Sequence, residues 1–151
     1  MTVPYLDLPA QYASIRDEIT AALEPVFATS NFVLGPAVEE FETAFATYVQ
    51  RRYCIGVNSG TSALHLALLA AGVGPGDEVV TSPFTFVATA WAVTYCGATP
   101  VFADVDAATG CLDPTSAERA ITPRTRVLLP VDLYGNPADL DAFSEMSDRH
   151  D

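Results

Sequence analysis

From residue 53 onward the sequence repeats one unit, a short β-rich run, a turn and a helical segment of about 8 to 13 residues, which is what crossovers between parallel strands require. The runs fall at residues 53–57, 78–82, 100–105 and 126–133. The helical segments fall at 61–71, 85–95 and 114–121, with a fourth from Pro137 onward. The runs are nearly continuous in Val, Ile, Leu and Ala, the pattern of strands covered by helices on both faces. The expectation is therefore an α/β fold with a mostly parallel sheet. Glycine-rich turns (Gly72 to Asp77, Gly97 to Pro100) lead into strands, and Asp113-Pro114 and Asn136-Pro137 each set a capping side chain before a proline at a first helical position.

Two amphipathic helices are predicted ahead of this unit. Tyr12, Ile15, Ile19, Leu23, Val26 and Phe27 recur at helical spacing over 12–27. After Gly35, Pro36 suits a first turn, acidic residues follow near the positive end of the dipole, and Val38, Phe41, Phe45, Tyr48 and Val49 form the apolar stripe. Residues 30–35 read as a loop. The expected organisation is a helical segment over 1–50 and the first part of a larger α/β domain over 51–151.

Half of the residues are hydrophobic, which supports a core and argues against disorder. The net charge of −12 removes the electrostatic footprint of a nucleic-acid or anionic-membrane binder. All seven basic residues are arginines, so there is no lysine. Cys54, Cys96 and Cys111 lie in no zinc-ligand spacing, so no metal is expected, and reduced thiols fit a cytoplasmic location. No apolar stretch is long enough to span a bilayer.

Chemistry-bearing candidates gather where predicted strands end. Asn58-Ser59-Gly60-Thr61-Ser62 joins a strand to a helix with small residues, either as an ordinary capped turn or as an anion seat at a helix N-terminus. It matches neither GxGxxG nor GxxxxGK[ST]. Phe84 and Phe86 follow the second run, either as core fillers or with one ring stacking on a planar ligand. Asp104 and Asp106 read as a capped turn in preference to a metal pair, and His65 as a packed residue of an apolar helix. Arg51-Arg52 reads as a solvated helix end. Asp132 and Tyr134 follow the last run, and convergence of three strand ends is the best argument for a site.

Taken together, GPAVEEFETAFATYV, NSGTSALHLALLAAGVGPGDEVVTSPFTFVATAWAVTYCGATPVFADVD and ITPRTRVLLPVDLYGNPADLDAF, with the opening YLDLPAQY, resemble the N-terminal half of DegT/DnrJ/StrS-type sugar aminotransferases. These are fold-type-I enzymes of pyridoxal phosphate. The resemblance implies that Gly60, Thr61 and Ser62 hold the cofactor phosphate and that Phe86 stacks on the pyridine ring. It places Asn31, Phe32 and Gly35 in a loop near the nucleotide sugar and the dimer interface, with Tyr134 as a further substrate or interface residue. Asp132 stands where relatives commonly have a histidine.

The same resemblance implies residues that these 151 do not include: an acid that pairs with the pyridinium nitrogen and a lysine that forms the Schiff base. No catalytic residue is therefore assigned. The expected function is transamination of a keto group on a nucleotide-activated sugar, with glutamate or glutamine as donor, in antibiotic, cell-surface or other amino-sugar biosynthesis. Some relatives are dehydratases. The chain is expected to be an N-terminal fragment, inactive alone, of an enzyme that is a homodimer when complete. In this family the first strand of the large domain is separated from the next ones by strands later in sequence, so residues 53–57 are expected to lose their neighbours and the isolated chain to be unstable. The alternative is a noncatalytic half-protein or anion-binding module that works only with a partner chain.

Overall fold

The computed structural model describes residues 4–150. The chain divides into two compact units, one up to Gly56 and one from Val57.

The first unit carries two helices, α1 (Leu8–Thr29) and α2 (Pro36–Tyr48). Asp7 opens α1 by accepting the Ala10 N–H at 3.0 Å, and Ser30 closes it in the left-handed region. Pro36 occupies the first turn of α2, where its missing N–H has no intrahelical use. The ring of Phe45 lies 5.6 Å from Phe41 and 6.3 Å from Tyr48, so the predicted stripe of α2 is present as an aromatic row. No residue of α1 is buried, and Tyr12, Ile15, Leu23 and Phe27 all face solvent.

Residues 53–57 form no strand, against the expectation from their composition. Tyr53, Ile55 and Val57 are exposed, and the Gly56 N–H is taken by Glu42 Oε1 at 2.6 Å. The physical reason is that a strand exists only through a ladder, and no described segment supplies the partner edge.

The second unit builds α3 (Gly60–Ala70), β1 (Glu78–Thr81), α4 (Ala88–Tyr95), β2 (Thr99–Phe102), α5 (Pro114–Ala120), β3 (Thr125–Leu129), a tight turn (Leu133–Gly135) and α6 (Leu140–Arg149). The three strands are all parallel, in the order β2-β1-β3. Each residue of the central β1 is buried, as a strand covered on both faces demands. Val80 packs with Leu112, Ala117, Phe143 and Met146, the side covered by α5 and α6. Val79 packs with Leu68, Ala92 and Val93, the side covered by α3 and α4.

Pairing of Glu78 with Thr125 and of Val79 with Val127 leaves Arg126 as an extra, bulged residue at the start of β3. The bulge re-aims its guanidinium, whose Nε reaches the carbonyl of Ala71 just past α3 at 3.4 Å, where a cation suits the negative end of the helix dipole. At the same end of the sheet Glu78 accepts from Thr122 Oγ1 at 2.5 Å and pairs with the Arg124 guanidinium. These two hydrogen bonds hold the Glu78 carboxyl below the ordinary range despite its desolvation.

The strand expected at 100–105 runs over Thr99–Phe102, and three further boundaries move. The last strand stops at Leu129 instead of 133, because Pro130 lacks the N–H that a continued ladder would use. The helix expected from 85 begins at Ala88, because Ser82 Oγ accepts the Phe84 N–H at 2.9 Å and folds the preceding residues into a turn. The helix expected from Pro137 begins at Leu140, capped by Asp139, which accepts the Ala142 N–H at 3.0 Å. Asn136 is thus no helix cap, and its side chain donates to the Thr109 carbonyl at 2.8 Å. Asp113 caps α5 as expected, accepting from Thr115 and Ser116.

Candidate active site at the strand ends

The glycine-punctuated turn of residues 71–77 reverses the chain, so α3 runs opposite to β1 and its N-terminus comes to the carboxyl edge of the sheet. Leu64, one turn into α3, packs in the same cluster as Leu129, the last residue of β3. Ligands of open α/β sheets bind at this edge.

At the head of α3, Ser59 is the N-cap and its Oγ accepts the Ser62 N–H at 3.1 Å. Ser62 Oγ in turn donates to Asn58 Oδ1 at 2.7 Å, while Ser59 Oγ lies 3.0 Å from it. The ordinary capped turn therefore exists, and Ser62 is engaged in it. The N–H groups of Gly60 and Thr61 precede the first intrahelical bond, from Ala63 to the Ser59 carbonyl, and have no partner among the described residues. Neither has the Thr61 hydroxyl. A Cβ added at Gly60 would meet nothing within 4 Å, so the helix head is uncovered at that residue. Two backbone amides and one hydroxyl at the positive end of a helix suit a phosphate.

Phe86 follows β1 on the same edge. The reading of Phe84 and Phe86 as core fillers does not hold, since they are 53% and 71% exposed. Their segment is nonetheless fixed: the Thr89 N–H bonds the Phe86 carbonyl at 3.1 Å, and the hydroxyls of Thr85 and Thr89 lie 2.9 Å apart. An exposed ring on an anchored turn suits stacking against a planar group.

Asp132 and Tyr134 lie beyond the end of β3, in the loop leading to α6. Asp132 Oδ1 accepts the Ala138 N–H at 2.9 Å, so its carboxylate shapes the loop. Tyr134 is 94% exposed and left-handed at φ 54°. Asp106 follows β2 and so lies at this edge as well, but its carboxylate is engaged locally. Asp106 caps its own turn by accepting from Ala108 and Thr109, and His65 packs edge-on against Tyr95 at 5.6 Å. Asn31, Phe32 and Gly35 belong to the first unit, where Gly35 caps α2 and the ring of Phe32 packs edge-on against Phe27. A concavity of about 560 Å³ lined by Thr122, Thr125, Ser147 and His150 opens at the opposite end of β3, away from these groups.

The sequence names Asn58 within this turn but assigns its side chain no role. Its signal was present as an amide four residues before a serine at a helix start, the spacing at which the two side chains meet.

The fold is that of an open α/β protein, with a capped helix head and an exposed aromatic ring at its strand ends. By sequence, the chain belongs to the DegT/DnrJ/EryC1/StrS aminotransferase family, which it matches over residues 13–151. It is 50% identical over 148 residues to the dTDP-3-amino-3,4,6-trideoxy-alpha-D-glucose transaminase of Streptomyces venezuelae, a match covering 98% of this chain and 39% of that protein. It is 45% identical over 148 residues to the UDP-2-acetamido-2-deoxy-3-oxo-D-glucuronate aminotransferase of Pseudomonas aeruginosa, covering 98% and 41%. Among solved structures, S. venezuelae DesV in complex with a ketimine intermediate superposes with a TM-score of 0.93 at 50% identity, over 98% of this chain and 40% of that one. NtdA of Bacillus subtilis with bound cofactor PMP gives a TM-score of 0.93 at 38% identity, over 99% and 34%. The chain thus spans about two fifths of the length of the curated relatives it matches.

Among the described residues no helix is long and apolar enough to cross a membrane.

Proposed function

We propose that this chain forms the phosphate-holding and ring-stacking part of a pyridoxal-phosphate-dependent aminotransferase acting on a keto group of a nucleotide-activated sugar. The observation that carries the reading is the set of free donors at Gly60 and Thr61, on the sheet edge that also presents the exposed Phe86. These groups fit the cofactor: three donors at a helix head have no partner among the described residues, and an exposed ring offers a planar face. When bound, the cofactor supplies an electron sink for amino-group transfer.

In this reading Gly60 and Thr61 take the phosphate oxygens through N–H groups and one hydroxyl. Ser62 acts behind them, holding Asn58 and Ser59 in the cap that fixes the direction of the amides. Phe86 covers one face of the ring and sheds water from it. Asn31, Phe32 and Gly35 serve the nucleotide-sugar or dimer surface of the complete enzyme, a homodimer working in the cytoplasm.

The 151 residues include no lysine, so the amine that condenses with the cofactor aldehyde lies outside them in this reading. The acid that pairs with the pyridinium nitrogen is placed outside them as well. The same lack of lysine favours, as second reading, a chain that acts with a lysine-bearing partner polypeptide. Co-purification with such a polypeptide separates it from the first.

Titration with pyridoxal phosphate, followed by absorbance and by competition with inorganic phosphate, tests the site. Thr61→Ala is expected to weaken binding about tenfold or more, the loss of a hydrogen bond to a charged group. Binding that ignores both inorganic phosphate and the Thr61 substitution refutes the assignment.

A further inference from the structure

The two rings on the segment after β1 differ in what supports them. Phe86 is largely exposed, whereas Phe84 sets the edge of its ring on the loop that follows β2: a Cβ at Gly110 would lie 3.6 Å from Phe84 Cε1, an ordinary contact distance. The hydrogen bonds of residues 83–87 among the described residues stay local, from the Phe84 N–H donated to Ser82 Oγ at 2.9 Å to the Trp91 N–H donated to the Val87 carbonyl at 3.0 Å. The Phe84 ring supplies what those bonds do not, a contact with a second segment.

That second segment is firmly held. Val105 and Leu112 close it with an antiparallel bridge. Inside it, the Asp106 carboxylate accepts the Ala108 and Thr109 N–H groups at 2.9 Å each, the Asp106 carbonyl accepts the Gly110 N–H at 2.8 Å, and the Asp106 N–H donates to the Cys111 carbonyl at 2.9 Å. Gly110 is left-handed at φ 72°, which glycine adopts without strain, and its bare backbone is what the ring rests against. From the far side Asn136 holds the same loop, its Nδ2 donating to the Thr109 carbonyl at 2.8 Å and its carbonyl accepting from the Cys111 thiol at 3.3 Å. Because β2 and β3 flank β1, a loop after β2 that bonds to a residue after β3 spans the carboxyl end of β1. It forms a floor for the turn that β1 feeds.

We propose that Phe84 is a positioning residue of the strand-end site: its ring, set on the Gly110 loop, fixes the turn from which Phe86 projects. The proposal rests on the function proposed above. The need for such a support follows from how the two parts of the ligand are held. The phosphate donors belong to a helix head, but the ring platform belongs to a turn, and a radial gap of about 0.5–1 Å forfeits a quarter to a half of the dispersion attraction between stacked groups. Phe84 gives the platform a second point of support, which keeps the Phe86 ring at one height and angle while the phosphate is anchored elsewhere.

The test is titration of the 151-residue chain with pyridoxamine phosphate, which carries the ring and the phosphate and needs no Schiff base, read by the circular dichroism induced in its absorbance band, with inorganic phosphate as competitor. Phe84→Ala, Phe84→Tyr, Phe86→Ala and the double alanine variant are compared with the wild type, and urea midpoints are read from Trp91 fluorescence. Phe86→Ala is expected to bind about tenfold more weakly, the loss of one stacked ring, and Phe84→Ala about threefold or more weakly, with a smaller induced signal per bound cofactor. The competition constant of inorganic phosphate is expected to stay unchanged in every variant, because the helix head is untouched. Phe84→Tyr, which keeps the ring, is expected to match the wild type. A residue that acts through Phe86 has nothing to act on once that ring is gone, so the double variant is expected to bind as Phe86→Ala does. Additive losses overturn the proposal and make Phe84 a direct cofactor contact. It is equally overturned by unchanged affinity in Phe84→Ala, by a parallel loss of inorganic phosphate, by a tyrosine variant no better than alanine, or by a collapsed urea midpoint in Phe84→Ala, which makes the ring a residue of the fold alone. If Phe86→Ala weakens binding and Phe84→Ala does not, this proposal fails while the cofactor assignment stands. If the wild type binds neither pyridoxamine phosphate nor inorganic phosphate, both fail.

Discussion

Thr81 offers a direct measure of what joins the two strands that carry the site. It is completely buried, its hydroxyl donates to the Leu129 carbonyl at 2.8 Å, and its own carbonyl accepts the Ala103 N–H at 2.9 Å on the other flank. Thr81→Val keeps the branched shape and the strand propensity and removes only the hydroxyl. The net worth of such a bond is about 1 kcal/mol. Thr81→Ser keeps the bond and loses a buried methyl, also about 1 kcal/mol, and Thr81→Ala loses both, about 2 kcal/mol. With a urea dependence of about 1 kcal/mol per molar for a unit of this size, the midpoint should fall by roughly 1 M in the valine and serine variants and roughly 2 M in the alanine variant. Trp91, the only tryptophan, lies in α4 of the second unit and reports on that unit at low micromolar protein concentration. A valine variant that melts at or above the wild-type midpoint refutes the reasoning, because packing alone would then account for the position.

The Glu78 carboxyl is held low by Thr122 and Arg124, so its contribution is full above the unfolded carboxylate value near 4.5 and is lost as pH falls through the lower folded-state value. Urea midpoints should accordingly be flat from neutral pH to about 5 and drop below it, with most of the drop missing in Glu78→Gln; a drop of the same size in that variant refutes the assignment. Glu118, lowered by Arg149, follows the same sign, but its pair is exposed, and Glu118→Gln should change the acid limb less, an effect checked by adding salt. Asp113→Ala removes the cap of α5 and should cost about 1 kcal/mol in the same melt. The unpaired flanks of β2 and β3 and the exposed stripe of α1 predict self-association and dye binding by the isolated chain; light scattering that shows a dye-silent monomer at all concentrations would argue against it.

Much of this fold is legible locally. Residues 78–82, 100–105 and 126–133 each mark a real strand, and Asp113-Pro114 a real cap, because continuous apolar runs and capping side chains act within a few residues. Residues 53–57 show the limit: their composition suits a strand, but a ladder is a property of two segments, and the second is not among those described. Asn136 shows another, since its side chain is drawn to Thr109 far away in sequence while the helix starts later, under the cap of Asp139. For the site, the small residues from Asn58 to Ser62 announce a helix head, yet only coordinates separate the engaged Ser62 from the free Thr61. Alternation and apolar context left Phe86 ambiguous, because exposure of an aromatic ring depends on the turn that Ser82 folds beneath it.

Val79 and Val80 are neighbours in the chain, yet each answers to a different set of helices. A central strand only four residues long therefore partitions the unit into two packing problems that share a backbone and almost no side chains. Changes in volume on the α3 and α4 side can be compensated there without consulting the α5 and α6 side. During divergence, one side can be remodelled around a new ligand while the other keeps the strands in place, and adjacent codons can record separate histories.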